Sequence, residues 1–150
     1  MESLVNALQG ALGLVSRLLL ATIFLVSAVS NKIPQFQATA AYMAAEGVPN
    51  PRFALFGAIG LLVLGGLGVV LGAWTRIGAG CLLVFLVAAT YYFHDFWQAP
   101  AEQKQAEMIQ FMKNLALMGT MVFIMANGAG PWSLDASAAA KCEAGLAEQD

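Results

Sequence analysis

The sequence predicts an all-α integral membrane protein: a four-helix bundle with a short interfacial or re-entrant helix between spans one and two. Three observations carry this. Four long apolar stretches, at about residues 8–30, 53–73, 77–94 and 108–127, hold most of the chain. Each reaches or approaches the roughly 20 helical residues that cross a hydrocarbon core about 30 Å thick. Hydrophobic residues make up 59% of the chain and charged residues 11%, against about 25% charged in soluble domains. The apolar runs are also continuous rather than alternating, which is the pattern of helices and not of barrel strands.

Span one contains Arg17, and a central arginine costs about 2.5–3.5 kcal/mol on insertion scales. It either faces the bundle interior or a wet cavity, or the helix starts near Leu12 and the side chain snorkels to the headgroups. Leu18 to Val26 followed by Ser27-Ala28-Val29-Ser30 resembles a signal-peptide core with a small-residue cleavage site. Arg17 is the only cation in residues 2–17, however, and the segment reads as a permanent span. The connection Asn31 to Arg52 carries its own helix punctuation. Pro34 suits a first turn, Gln35 to Glu46 is helix-compatible, and Gly47, Pro49 and Pro51 stop it. Phe36, Tyr42 and Met43 give it the apolar bulk to lie at the interface.

Span two is rich in glycine, at positions 57, 60, 65, 66, 68 and 72. Gly68 and Gly72 share a face and admit a close helix, either within the bundle or in a homo-oligomer joined through 53–73. The short turn Trp74-Thr75-Arg76 makes spans two and three antiparallel neighbours. Span three ends at His94, beside an aromatic run Tyr91, Tyr92, Phe93, Phe96 and Trp97 that reads as an interfacial belt or as the wall of a flat pocket. The connection from Asp95 to about Glu107 is polar. Span four opens with Gln110, Lys113 and Asn114, a polar stripe at i, i+3, i+4 spacing, which is expected to face inward. Gly128 and Gly130-Pro131 end it. Residues 1–135 form one domain, and 136–150 read as a mobile polar tail.

Counting crossings puts Lys32, Arg52, His94 and Lys113 towards one side of the membrane. Trp74, Arg76, Asn127, Ser133 and Asp135 fall on the other. The basic residues divide too evenly for the positive-inside rule to orient the chain.

Several function classes drop out. A net charge of −2 with no basic cluster gives no footprint for nucleic acid. Cys81 and Cys142 stand far apart and outside any Cys-x-x-Cys pair, so neither a dithiol relay nor a structural disulfide is expected. One histidine makes a poor metal site, and no metal is expected. A haem held by His94 and one of Met118, Met121 or Met125 is formally open, but methionines at helical spacing are usual core filler, and haem is not expected.

The order of the motifs is more specific than any one of them. Arg17-Leu-Leu-Leu leads to the Ser30-Asn-Lys32 exit, then Tyr42-Met-Ala-Ala-Glu-Gly47-Val-Pro49. Gly65-Gly66 and Leu71-Gly-Ala-Trp-Thr75-Arg76 follow, then Ala89-Thr90 with Phe93-His94, and Phe111-Met-Lys113-Asn114-Leu. Gly128-Ala-Gly130 and Ser133-Leu-Asp135 close the series. In this order and spacing, across almost its whole length, the chain resembles the DoxX family of small four-helix membrane proteins. The resemblance implies a four-helix bundle in the bacterial inner (plasma) membrane. Relatives are linked to quinone-coupled thiosulfate oxidation, to membrane complexes that handle oxidative and thiol stress, and more distantly to surfeit-locus cargo receptors, which are not enzymes. Some members carry an acidic residue inside the second span; this chain has none there.

Two functional expectations follow. The first is a redox-associated subunit, at most part of a membrane oxidoreductase, that binds a quinone or similar lipophilic molecule. Lys32, His94, Lys113 and Asn114 would serve the ring oxygens, with Trp97 among the aromatic walls and Arg17 as counter-charge or headgroup contact. The second is a non-catalytic accessory or scaffold subunit of a larger membrane complex. A transporter is disfavoured, because neither an inverted repeat nor a broken helix is visible.

Overall fold

The computed structural model describes residues 1–147 and, among them, six α-helices and no strand. Helix α1 (Glu2–Val26) runs into a π-helical turn, Ser27–Lys32; α2 (Phe36–Ala45), α3 (Pro51–Leu71), α4 (Thr75–Phe93), α5 (Ala101–Asn127) and α6 (Leu134–Ala147) follow. Four helical stretches are long and apolar enough to cross a membrane: Ser3–Lys32, Pro51–Leu71, Thr75–Phe93 and Ala101–Asn127. Their outer faces expose Phe53, Phe56, Leu64, Val84 and Val122. So much apolar surface belongs against lipid.

The first and last spans are longer helices than their apolar stretches. At α5 the reason is visible in the sequence. Pro100, in extended backbone, sets the start. The polar turns Ala101 to Glu107 are then built from alanine, glutamate, glutamine and lysine, all strong helix formers. The segment from Ala136, read as a mobile tail, is likewise helical through Ala147; residues 148–150 of that reading lie outside the described residues. Ser133 starts α6, its Oγ accepting the Ala136 N–H at 3.1 Å and donating to the Gly130 carbonyl at 2.7 Å, as an N-cap hydroxyl does.

The spans pack in a row, α1 on α3, α3 on α4 and α4 on α5. Glycine sets the tightest seam. A Cβ at Gly65 would stand 2.8 Å from the Gly78 carbonyl oxygen on α4, and one at Gly66 would stand 2.7 Å from Leu25 on α1. Gly65 and Gly66 therefore serve packing inside the bundle, while Gly57 and Gly60 face open space. Phe24, Leu62, Val69, Leu82, Leu86 and Met121 fill the core along this row. Helix α2 lies across one end of α3, where Ala40, Met43, Val48 and Leu55 form a second cluster.

At the opposite end the chain is tied shut. Asp135 reaches back to the start of α4: its Oδ1 accepts the Trp74 N–H at 2.8 Å, and its Oδ2 accepts the Thr75 N–H at 3.0 Å and hydroxyl at 2.8 Å. Its own N–H donates to the Gly72 carbonyl at 2.8 Å. Gly72 adopts φ +65 where α3 ends, directly against the Arg17 guanidinium and Ser133. A side chain there would be strained by both the backbone and its neighbours. Arg17 is only 3% exposed. Its Nη2 donates to the Trp132 carbonyl and its Nε to the Gly13 carbonyl at 3.3 Å. Of the two readings for Arg17, the buried one is realised.

Candidate functional site

The other end of the bundle is open. Helices α1, α3, α4 and α5 leave a cavity of about 620 Å³ beneath α2. Its apolar walls include Phe24, Met43, Leu55, Phe85, Tyr92 and Phe93, and its polar rim includes Lys32, His94, Lys113 and Asn114. Pockets of this kind, mostly apolar with a few convergent polar groups, are the usual small-molecule sites.

Each polar side chain is placed by a local feature. Lys32 ends the π-helical turn, whose i→i+5 pitch sets residues five apart on one face; its Nζ donates to Ser27 Oγ at 2.7 Å. The same Nζ lies 5.5 Å from the centre of the Phe85 ring, within cation–π range. A π-turn inside a helix is often a functional feature. Asn114 is 5% exposed and donates one amide N–H to Thr90 Oγ1 at 3.0 Å, joining α5 to α4. Lys113, one residue before it, sits at the exposed lip and donates to Gln110 Oε1. The predicted stripe thus straddles the cavity edge: Asn114 turns in and Lys113 stays at the rim.

His94 caps the end of α4, and its Nδ1 lies 2.8 Å from Glu107 Oε2. This is the only ion pair formed among the described residues when His94 is protonated, so neither Lys32 nor Lys113 faces a carboxylate within 4 Å there. Tyr42 of α2 stacks on Phe93 with ring centres 5.4 Å apart. Partial burial, reinforced by the charges of Glu46 and Glu107, pushes its phenol above the usual tyrosine range.

Four of the six residues singled out in the sequence thus meet at one cavity. Trp97 does not line it; its ring packs edge-on against Phe96 and Phe111 at 5.3 and 6.0 Å. Arg17 lies at the far end of the bundle, on the wall of a second cavity of about 770 Å³ between α1 and α5. Ser27 lines the first cavity, and Thr90 and Glu107 hold its Asn114 and His94; none of the three is a site residue in the sequence reading. Hydroxyls inside apolar helices were the available signal for the first two. Glu107 was read as part of a connection, whereas α5 already runs through it. Cys81 is half-buried and Cys142 exposed, both as free thiols.

The sequence model of the DoxX family matches residues 12–95, more than half of the chain. The chain belongs to the DoxX family. The model of the SURF4 family matches residues 55–140, so the two matches together take in every residue of the cavity wall. Among curated proteins, this DoxX-family chain is 29% identical to inner membrane protein YphA of Escherichia coli (strain K12) over 130 residues, which is 87% of the chain and 92% of that relative. It is 32% identical to inner membrane protein YqjF of the same organism over 122 residues, 81% of the chain and 88% of that relative. No solved structure gives a significant match. With four spans and these relatives, this DoxX-family protein is a multi-pass protein of the bacterial inner membrane, embedded in the lipid bilayer.

Proposed function

We propose that the protein is a redox-associated subunit that binds a quinone, or a similarly lipophilic molecule with ring oxygens, in the cavity beneath α2. The observation that carries this is the convergence of Lys32, His94, Lys113 and Asn114 on one otherwise apolar cavity. The chemistry of the set fits such a ligand. Quinone oxygens accept hydrogen bonds, and lysine, asparagine and histidine offer N–H donors. Phe85, Tyr92 and Phe93 offer flat apolar walls to a ring. A bound quinone supplies two-electron carrier chemistry. The chain's own part is to hold the ring, favour negative charge on its oxygens through the two lysines, and pass protons through His94, since imidazole both takes and gives them. Glu107 orients that imidazole.

The test is purification in mild detergent, with extraction and mass spectrometry of retained small molecules, beside quinol-linked activity in native membranes. The reading expects a retained quinone, and expects His94→Ala combined with Lys113→Ala to abolish both retention and activity. A quinone-free wild-type protein whose double variant leaves activity intact would sink it.

A second reading, a non-catalytic accessory subunit, has one observation in its favour. Beyond Gly57 and Gly60 the outer face of α3 is open, flanked by exposed Phe53 and Phe56, a surface that a partner helix or a second copy could approach closely. Native gels of solubilised membranes distinguish the two: a stable multi-protein band without ligand favours this reading.

A further inference from the structure

We infer that the ligand of the upper cavity is long-tailed, and that its apolar tail lies in the furrow between α1 and α5; this rests on the quinone reading above. The row of helices leaves the furrow open. Helix α1 packs on α3 and α5 on α4, and the two outer helices approach each other much less closely, meeting through side chains such as Phe24 and Met121 of the shared core. Leu19, Leu20 and Ile23 of α1 face Leu117, Phe123 and Ile124 of α5 across the second cavity. Ile23 and Leu117 belong to the walls of both cavities, so the two spaces adjoin at a shared waist just below Asn114.

Polarity decides which part of a ligand goes where. The side-chain hydroxyls along the furrow and one amide N–H of Asn127 are turned back on the chain. Thr120 donates to the Ala116 carbonyl, Ser16 to the Gly13 carbonyl and Asn127 to the Phe123 carbonyl. Arg17 is committed to Trp132 and Gly13, and its remaining Nη1 is buried against Gly72. In the furrow the one charged side chain, Arg17, is 3% exposed and committed to the chain, whereas the upper cavity holds two lysines without carboxylate partners among the described residues. The head therefore belongs above the waist and the chain below it. From Asn114 to Asn127 helix α5 advances about 20 Å at 1.5 Å per residue, room for a tail of several isoprene units. The buried Arg17 end marks the limit of that tail.

The test uses the full protein in nanodiscs, two probes and three variants. The probes are a benzoquinone with a long isoprenoid tail and the same ring with that tail replaced by a methyl group. Leu19→Trp and Thr120→Trp, which line the furrow alone, fill it from either side, and Val122→Trp, on the exposed lipid face of α5, is the control. Native mass spectrometry should show the tailed probe bound about tenfold or more tighter than the short one. Either furrow variant should erase that advantage and leave the short probe unchanged, and Val122→Trp should change neither. Undiminished binding of the tailed probe to both furrow variants overturns the inference and leaves the quinone reading standing. Equal weakening of both probes also overturns it, since the furrow would then only support the head site. Failure of both probes to bind the wild type overturns the quinone reading, and this inference with it.

Discussion

The two ends of this bundle handle buried polarity in opposite ways. At the Arg17 end, a deeply buried guanidinium, the Trp132 carbonyl, the end of α3 and the Asp135 carboxylate enclose one another, and nearly every donor and acceptor has a partner inside the chain. At the Lys32 end, two lysines border a cavity without a carboxylate partner among the described residues, and a histidine and an asparagine join them. A saturated network specifies structure, because each group left unpaired in low dielectric is costly. At the open end each group has one partner, Ser27, Gln110, Glu107 or Thr90. Each lysine ammonium keeps further N–H donors, however, and spare donors around an apolar hollow are what a ligand site requires. The comparison separates two groups of charges that sequence alone ranks as equals.

The largest expected effect breaks the closed end. Arg17→Ala removes a buried charge and leaves the Trp132 carbonyl unpaired, and should cost about 3–5 kcal/mol in reversible unfolding from detergent. Unchanged stability would remove the contrast between the ends. Asp135→Ala should cost less, about 2 kcal/mol, through loss of the α4 cap. The same carboxylate makes this end acid-sensitive. Burial would raise its pKa, but the bonds from Thr75 and Trp74 and the Arg17 charge outweigh it and hold the carboxyl below the usual range. A depressed folded-state pKa stabilises the fold above the unfolded value of about 3.9, and that contribution is lost as pH falls towards the folded value. Wild-type Tm should therefore drop below about pH 4 more steeply than that of Asp135→Asn. Parallel curves would show the carboxylate to be irrelevant.

Between the two ends in size comes Thr90→Val, which orphans the buried Asn114 amide and should cost about 1–2 kcal/mol. Adding Asn114→Leu should recover part of that loss in a double-mutant comparison. The smallest stability effects belong to the open end. Lys113→Ala should shift unfolding by about 0.5 kcal/mol or less, as surface substitutions usually do. His94→Ala also gives up the contact with Glu107 and should shift it by about 1 kcal/mol or less. Each should remove ligand retention. A loss of several kcal/mol at either position would make the open end structural too.

The spans were legible because length and hydropathy bear directly on a 30 Å core, and α2 because proline and glycine bracket it. The sidedness of Lys32, His94 and Lys113 needed only an even alternation of crossings. The rest depends on contacts that composition does not record. Asp135 caps a helix that starts 60 positions earlier, and the partner of Arg17 is a backbone carbonyl, which no side-chain pattern announces. The π-turn that aims Lys32 arises from one extra residue per turn within a run of small residues. Glu107 was hidden by a boundary: hydropathy ends before the helix does, since the first turns of α5 are helical but polar. Trp97 was grouped with its neighbours by sequence adjacency, yet past the end of α4 the chain carries it to Phe111, away from the cavity.

The most direct test of the ligand cavity is photo-crosslinking with an azido-quinone in native membranes, with adducts mapped by peptide mass spectrometry. The account predicts adducts concentrated on the Phe85–His94 and Lys113–Leu117 segments, competed by unlabelled quinone and lost in the His94→Ala, Lys113→Ala double variant. Adducts spread evenly over lipid-facing residues such as Leu64 and Val122, unaffected by competitor or by the double variant, would contradict it.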